Sequence, residues 1–203
     1  ILYVKGRLPD SEQGLAIVGS RKATDYGLGT AASFGRAAAL AGIPVFSGGA
    51  YGIDGAAHRA VVQAGGITVA VLGGGLEKLY PSRHLRLFDR ICEKGALVTE
   101  FAPWEPPLAP QFLQRNRIIV GLSKGVLVVE AGARSGALNT AHIALDENRE
   151  LFAVPGPITA ATSQGTNGLL KQGARLADTP GEVLAFLQDR EEGLPKRDRP
   201  RQM

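Results

Sequence analysis

The chain has 203 residues, 44% of them hydrophobic and 21% charged, the balance of one globular unit with tails and not of a disordered chain. Its 27 glycines are nearly twice the usual share of roughly 7%, yet they follow no three-residue period, which excludes collagen. The net charge of +4 is concentrated in the last eleven residues, where Lys196, Arg197, Arg199 and Arg201 face only Asp198, so the global balance does not by itself point to a polyanionic partner.

In chain order, short β-type runs alternate with helical stretches. Leu15–Gly19 reads as a strand and Asp25–Ala41 as a helix. Ile43–Ser47 is a strand, and the Ser47–Asp54 loop leads to a helix over Gly55–Ala64. Ile67–Leu72 is a strand ending at Gly73-Gly74-Gly75, followed by a helix over Ser82–Lys94. Ala96–Glu100 is a strand, and a link carrying Pro103, Pro106, Pro107 and Pro110 enters a helix over Gln111–Leu122. Val126–Glu130 is a strand, Gly136–Asn148 a helix and Leu151–Val154 the last clear strand. Shorter elements follow near Asn167–Gln172, Arg175–Ala177 and Pro180–Leu187.

Runs such as Ile67-Thr68-Val69-Ala70-Val71-Leu72 are apolar nearly throughout, as in strands buried on both faces. Their alternation with helices predicts right-handed crossovers and a parallel sheet. The expected fold is α/β, an extended Rossmann-like, doubly wound and mostly parallel sheet with helices on both faces. Residues 15–188 form this domain, 1–14 the end of an upstream linker, and 189–203 a basic tail or linker. The start at Ile1 in place of Met suggests a piece of a longer protein. No apolar run approaches the roughly 18 residues of a membrane span, and no signal peptide opens the chain. The single cysteine, Cys92, cannot form an internal disulfide, which suits a reducing cytoplasm.

Ligands of open parallel sheets sit beyond the carboxyl ends of the strands, where helix N-termini offer unpaired N–H groups. Three glycine-containing loops fall there. Gly19-Ser20-Arg21 supplies a tight turn, a hydroxyl and a guanidinium suited to phosphate. Ser47-Gly48-Gly49-Ala50-Tyr51-Gly52-Ile53-Asp54 allows close backbone approach and places Asp54 to cap the next helix. Gly132–Thr140, with Arg134, Ser135 and Gly136, follows the strand ending at Glu130. A dinucleotide fingerprint is absent, because the first turn is G-S-R-K-A-T and Gly27 and Gly29 lie within a helix. No P-loop occurs.

In Gln111-Phe112-Leu113-Gln114-Arg115-Asn116-Arg117-Ile118-Ile119, the two arginines lie two positions apart. On a helix they point roughly 200° from one another, so they cannot both face one partner. Phe112 is either a base-stacking platform or a core residue. Catalytic sets are poor: His58, His84 and His142 have no zinc spacing, with His58 and His142 expected to pack on the sheet. Glu100 and Glu130 both end strands, but no nucleophile or metal set accompanies them.

These residues carry a resemblance. G-S-R at 19–21, S-G-G-A-Y-G-I-D at 47–54 with Ala57-His58, Tyr80-Pro81, R-N-R-I-I-x-G-L-S ending at Ser123, S-G-A-L-N-T-A at 135–141, Val154-Pro155-Gly156 and Gly165-Thr166-Asn167 with Gly173-Ala174 occur in order. Over about residues 15–187 the chain resembles the DNA processing protein A family (DprA, also called Smf). The resemblance implies a cytoplasmic, non-enzymatic homodimer without cofactors. Such a protein binds single-stranded DNA during natural transformation, shields it and loads the RecA recombinase. It further implies DNA contacts at Ser20, Arg21, Gly48, Gly49, Phe112, Arg115, Asn116, Arg117, Asn167 and Lys171. Tyr51 stands where the family often has arginine, either stacking in place of a phosphate contact or capping its loop. F-L-Q-R-N-R replaces the frequent F-P-x-R-N-R. Val183, Leu184 and Leu187, at helical spacing, either form the dimer face or close the core.

The competing enzyme reading is a Rossmann-like nucleotide phosphoribohydrolase with a P-G-G-x-G-T-x-x-E signature. The run at 47–54 is superficially similar, but no glutamate follows at the required place. A purely structural partner-binding module is the third reading, and it predicts no affinity for oligonucleotides.

Overall fold

The computed structural model describes residues 1–10 and 13–188; the basic tail expected over 189–203 lies outside the described residues. Among the described residues, eight strands form one sheet: β1 (Tyr3–Gly6), β2 (Leu15–Val18), β3 (Val45–Ser47), β4 (Thr68–Val71), β5 (Ala96–Thr99), β6 (Gly125–Val128), β7 (Glu150–Ala153) and β8 (Arg175–Leu176). The order across the sheet is β1-β5-β4-β3-β2-β6-β7-β8. Every neighbouring pair is parallel except β1 with β5, whose register sets Tyr3 opposite Thr99 and Gly6 opposite Ala96. The expected doubly wound Rossmann-like fold is therefore the observed one. Residues 1–14 differ from their expected role as a linker end, because residues 3–6 belong to the sheet.

The helices are α1 (Asp25–Leu40), α2 (Ile53–Gln63), α3 (Leu85–Cys92), α4 (Gln111–Gln114), α5 (Asn116–Gly121), α6 (Gly136–Asp146), α7 (Gln164–Lys171) and α8 (Pro180–Gln188). Thr24 caps α1 by accepting from the Gly27 amide, and Ser135 caps α6 by accepting from Ala137. The helix expected over Gln111–Leu122 is interrupted at Arg115, which divides α4 from α5. Alternate strand residues serve opposite faces of the sheet. Leu15, Ile17 and Leu127 pack with Phe34 of α1 and Val183 and Leu187 of α8 on one side. Ala16, Val126 and Val128 pack with Ile118 and Ile119 of α5 and Ala141 of α6 on the other.

From β2 the chain winds through β3 and β4 to β5, then returns across the sheet to β6 beside β2. The strand order reverses between β2 and β6, where the following loops diverge and leave a crevice at the carboxyl ends. Among the described residues no helix is long and apolar enough to cross a membrane.

Candidate nucleic-acid interface

A cavity of about 540 Å³ lies at that crevice. Gly19, Ser20, Arg21 and Lys22 from the loop after β2 form one wall, and Gly132, Arg134, Ser135 and Gly136 from the loop after β6 form the other. Phe112, Arg115 and Asn116 close it from α4 and α5. Among the described residues the cations on its lining are Arg21, Lys22, Arg115 and Arg134, and the one lining carboxylate is Asp54. The N-terminus of α6, with its positive dipole end, adds to the same wall.

The wall after β2 is held from below. The Ser20 amide donates to the Glu130 carbonyl at 2.8 Å and its carbonyl accepts from Ile53 at 3.2 Å. The Ser20 hydroxyl accepts from the Lys22 amide at 3.1 Å, so the turn is set while Arg21 remains exposed. The Arg21 guanidinium carbon stands 4.8 Å from the centroid of the Phe112 ring, a cation–π distance. Phe112 in turn meets Tyr80 at 5.8 Å, and Tyr80 meets Tyr51 at 6.5 Å.

Arg115 is almost fully buried. Its Nε donates to the Phe112 carbonyl at 3.2 Å and to Asn116 Oδ1 at 3.1 Å, and its Nη1 donates to the Val71 carbonyl. Its Nη2 lies 4.0 Å from Asp54. Burial pushes the Asp54 carboxyl above its usual range, the attraction of Arg115 offsetting only part of this. Burial likewise brings the Arg115 guanidinium down to about 10, with Asp54 acting in the opposite sense. The pair therefore serves geometry more than stability. Asn116 extends the network to α6, donating to Asn139 Oδ1 at 3.1 Å.

The residues expected from the sequence thus divide. Ser20, Arg21, Phe112, Arg115 and Asn116 converge on the crevice. Gly48 and Gly49 do not line it: both are buried, and a Cβ on Gly48 would overlap the Arg115 guanidinium. This loop makes room for side chains from other segments, and Ala50, the loop residue that lines the cavity, gives its amide to Asp54 at 3.3 Å. Asp54 itself lies inside α2 without a side-chain cap bond. Arg117 is exposed and pairs with Glu100 beyond the cavity lining.

Asn167 is engaged with the backbone of Gly156, accepting from its amide at 3.2 Å and donating to its carbonyl at 3.0 Å. Lys171 lies in the last turn of α7, whose first turn is tied to the rim by the Gly165 amide on the Ala131 carbonyl, and it does not line the cavity. Val183, Leu184 and Leu187 are buried within the protomer. Their expected service as a dimer face is corrected on that ground, since side chains already packed in the core present nothing to a second copy.

The carboxylates Glu100 and Glu130 follow β5 and β6, which are separated by three strands, roughly 19 Å at about 4.8 Å per strand. Glu130 accepts from the Thr24 amide and hydroxyl, at 2.9 and 2.6 Å, so it secures the start of α1. His58 is buried with Nδ1 2.7 Å from Thr68 Oγ1. Because that hydroxyl donates to the Val45 carbonyl, Nδ1 is the protonated nitrogen. Burial lowers the His58 pKa to about 3. His142, expected on the sheet, is exposed. Arg134 lines the cavity from the loop that the sequence marks after β6, whereas Lys22 in the crevice and Tyr80 in a neighbouring cavity have no sequence signal beyond the short runs that contain them.

A crevice lined by four cations and an aromatic ring, at the reversal point of a doubly wound sheet, defines a Rossmann-like protein whose lining has the chemistry to suit an anion. The model for DNA recombination-mediator protein A matches residues 1–188, and the chain belongs to this family. It is 50% identical to Protein Smf of Escherichia coli over 92% of this chain and 50% of that protein. It is 40% identical to DNA processing protein DprA of Streptococcus pneumoniae, covering 91% of this chain and 66% of that one. The chain spans about half the length of the first of these curated relatives.

A solved structure of the Streptococcus pneumoniae protein superposes with a TM-score of 0.84 at 40% identity, covering 91% of this chain and 65% of that one. DNA processing protein A of Helicobacter pylori, solved for its single-stranded DNA binding mode, gives 0.84 at 28% identity over 92% and 86% of the two chains. A molybdenum cofactor binding protein of Rippkaea orientalis shares the fold alone, at 18% identity and a TM-score of 0.64 over 88% and 97% of the two chains.

Proposed function

We propose that this protein binds single-stranded DNA independently of sequence at the β2/β6 crevice. In this reading it acts without enzymatic chemistry in the cytoplasm, as a homodimer that protects incoming strands during natural transformation and loads RecA onto them. The observation that carries the binding reading is Arg21 stacked on Phe112 beside the N-terminus of α6. A binder of arbitrary strands needs cations along the backbone path and faces for bases, with no base-edge code.

Arg21, Lys22, Arg134 and the α6 amides supply the first requirement, and Phe112 supplies the second. Arg115 and Asn116 act beneath them, fixing Phe112 to β4 and α6. A strand spanning two copies gains affinity through effective concentration.

Labelled oligothymidylates of increasing length, titrated at two salt concentrations with size exclusion of the complexes, test this. Binding that weakens as salt rises, with two copies on longer strands, is expected. Absence of binding, or binding indifferent to salt, overturns it. Joint incubation with RecA and a single-strand-coating protein tests the loading step: faster filament growth is expected, and an unchanged rate removes that step.

A further inference from the structure

Beside the main crevice lies a second cavity of about 410 Å³, lined by Arg21, Tyr80, Pro107, Ala109, Phe112 and Leu113. Three of these, Arg21, Phe112 and Leu113, also line the crevice, so the two cavities share one wall. Among the described residues no carboxylate or lysine lines the second, and the one charge on its lining is Arg21, at the junction.

The walls are secured. Leu108 donates its amide to Gln111 Oε1 at 2.7 Å, and Gln111 Nε2 donates to Glu105. The Glu105 carbonyl accepts from Gly75 at 2.8 Å, which fastens the proline-rich link to the turn after β4. A Cβ on Gly74 would press on Pro107, so that turn fits closely under the link. Tyr80 keeps 46% of its surface exposed on the far wall. It lies at a tilt to Phe112 and edge-on to Tyr51, which itself lies edge-on to His84 at 5.3 Å.

An apolar, aromatic-walled recess that opens from a cationic crevice matches a planar, uncharged ring attached to a phosphate chain. We propose that this second cavity receives a nucleobase of the strand held in the crevice, with Tyr80 as its stacking face and Tyr51 as the support that orients Tyr80. This rests on the single-strand binding reading. It adds a base position reached by passing over Arg21 and Phe112.

The test compares oligothymidylates with strands of the same length carrying one abasic residue at successive positions. The unsubstituted protein is expected to bind one abasic position about 5- to 150-fold more weakly, the range of a lost base–aromatic stack. Tyr80→Ala is expected to lose the same factor on the intact strand, to show no further penalty at that position, and to keep the salt slope, since no phosphate contact is removed. Tyr80→Phe, which keeps the ring, is expected to bind as the unsubstituted protein does.

Unchanged affinity in Tyr80→Ala while Arg21→Ala binds more weakly overturns this proposal alone. So does a Tyr80→Ala loss that is equal for intact and abasic strands, or one that Tyr80→Phe reproduces. No binding by the unsubstituted protein overturns the reading beneath it.

Discussion

Arg21 stands 4.8 Å over the Phe112 ring, joining a loop after β2 to a helix about ninety residues further on. One partner offers an exposed positive charge and the other a flat apolar face. Their contact sits where the two cavities meet.

Arg21→Ala removes a phosphate-directed charge from this contact. Affinity for strands of any sequence is expected to fall, with the slope of log affinity against log salt shallower by about one. Arg117→Ala serves as the control: its side chain is exposed and already paired with Glu100. Fluorescence titration is expected to give near-unchanged binding for it, and stability within about 0.5 kcal/mol.

Phe112→Ala deletes the face on which Arg21 rests. Binding is expected to weaken by about 1–3 kcal/mol, the worth of one base stack, with little change in salt slope. Equal affinity of the variant and the unsubstituted protein would remove Phe112 from the interface.

Gly48→Ala introduces a methyl group where the Arg115 guanidinium lies. The guanidinium has no free swing, because the Val71 and Phe112 carbonyls and Asn116 hold it. Denaturant unfolding is expected to show a loss of about 1–3 kcal/mol, as for overpacking elsewhere, with weaker strand binding as Phe112 loses its anchor.

Asp54 sets an unusual sign for pH dependence. Burial raises its folded pKa above the unfolded value near 3.8, so the folded state holds the proton more tightly. Its stabilising contribution is full below the unfolded pKa and is lost as pH rises through the folded one. Asp54→Asn removes this titration. Denaturation across the acid range up to neutrality is expected to show the unsubstituted protein losing stability relative to the variant as pH rises; a parallel course of the two curves contradicts the assignment.

Leu187 is fully buried against Gly125 and Phe152. Leu187→Ala is expected to cost about 2–5 kcal/mol by thermal or denaturant unfolding. Sedimentation is expected to find the oligomeric state of the folded variant unchanged, because the side chain faces its own core.

Much of this architecture was legible from periodicity. Apolar runs over 15–18, 68–71, 96–99 and 126–128 carry their strand assignment locally, and the glycine-marked turns after them lie at one sheet edge because parallel crossovers return every strand in the same direction. The strand at Tyr3–Gly6 was not legible. All four of its residues are exposed, and they are extended because β5, some ninety positions away, offers an edge.

Two further distinctions depended on the folded chain. Arg115 and Arg117 share one motif, and helical geometry separates them; the Asp54 carboxylate and the Val71 carbonyl make the inward one structural, while Glu100 takes the outward one. Val183, Leu184 and Leu187 have the spacing of a buried helix face, but spacing does not tell whether the cover is the same chain or another. By itself the sequence determined the parallel strands, most of the helices and the rim that carries the site, since these follow from short-range patterns. Only the tertiary structure decided which side chains share the crevice, because those partners come from segments far apart in the chain and their meeting depends on how the helices pack.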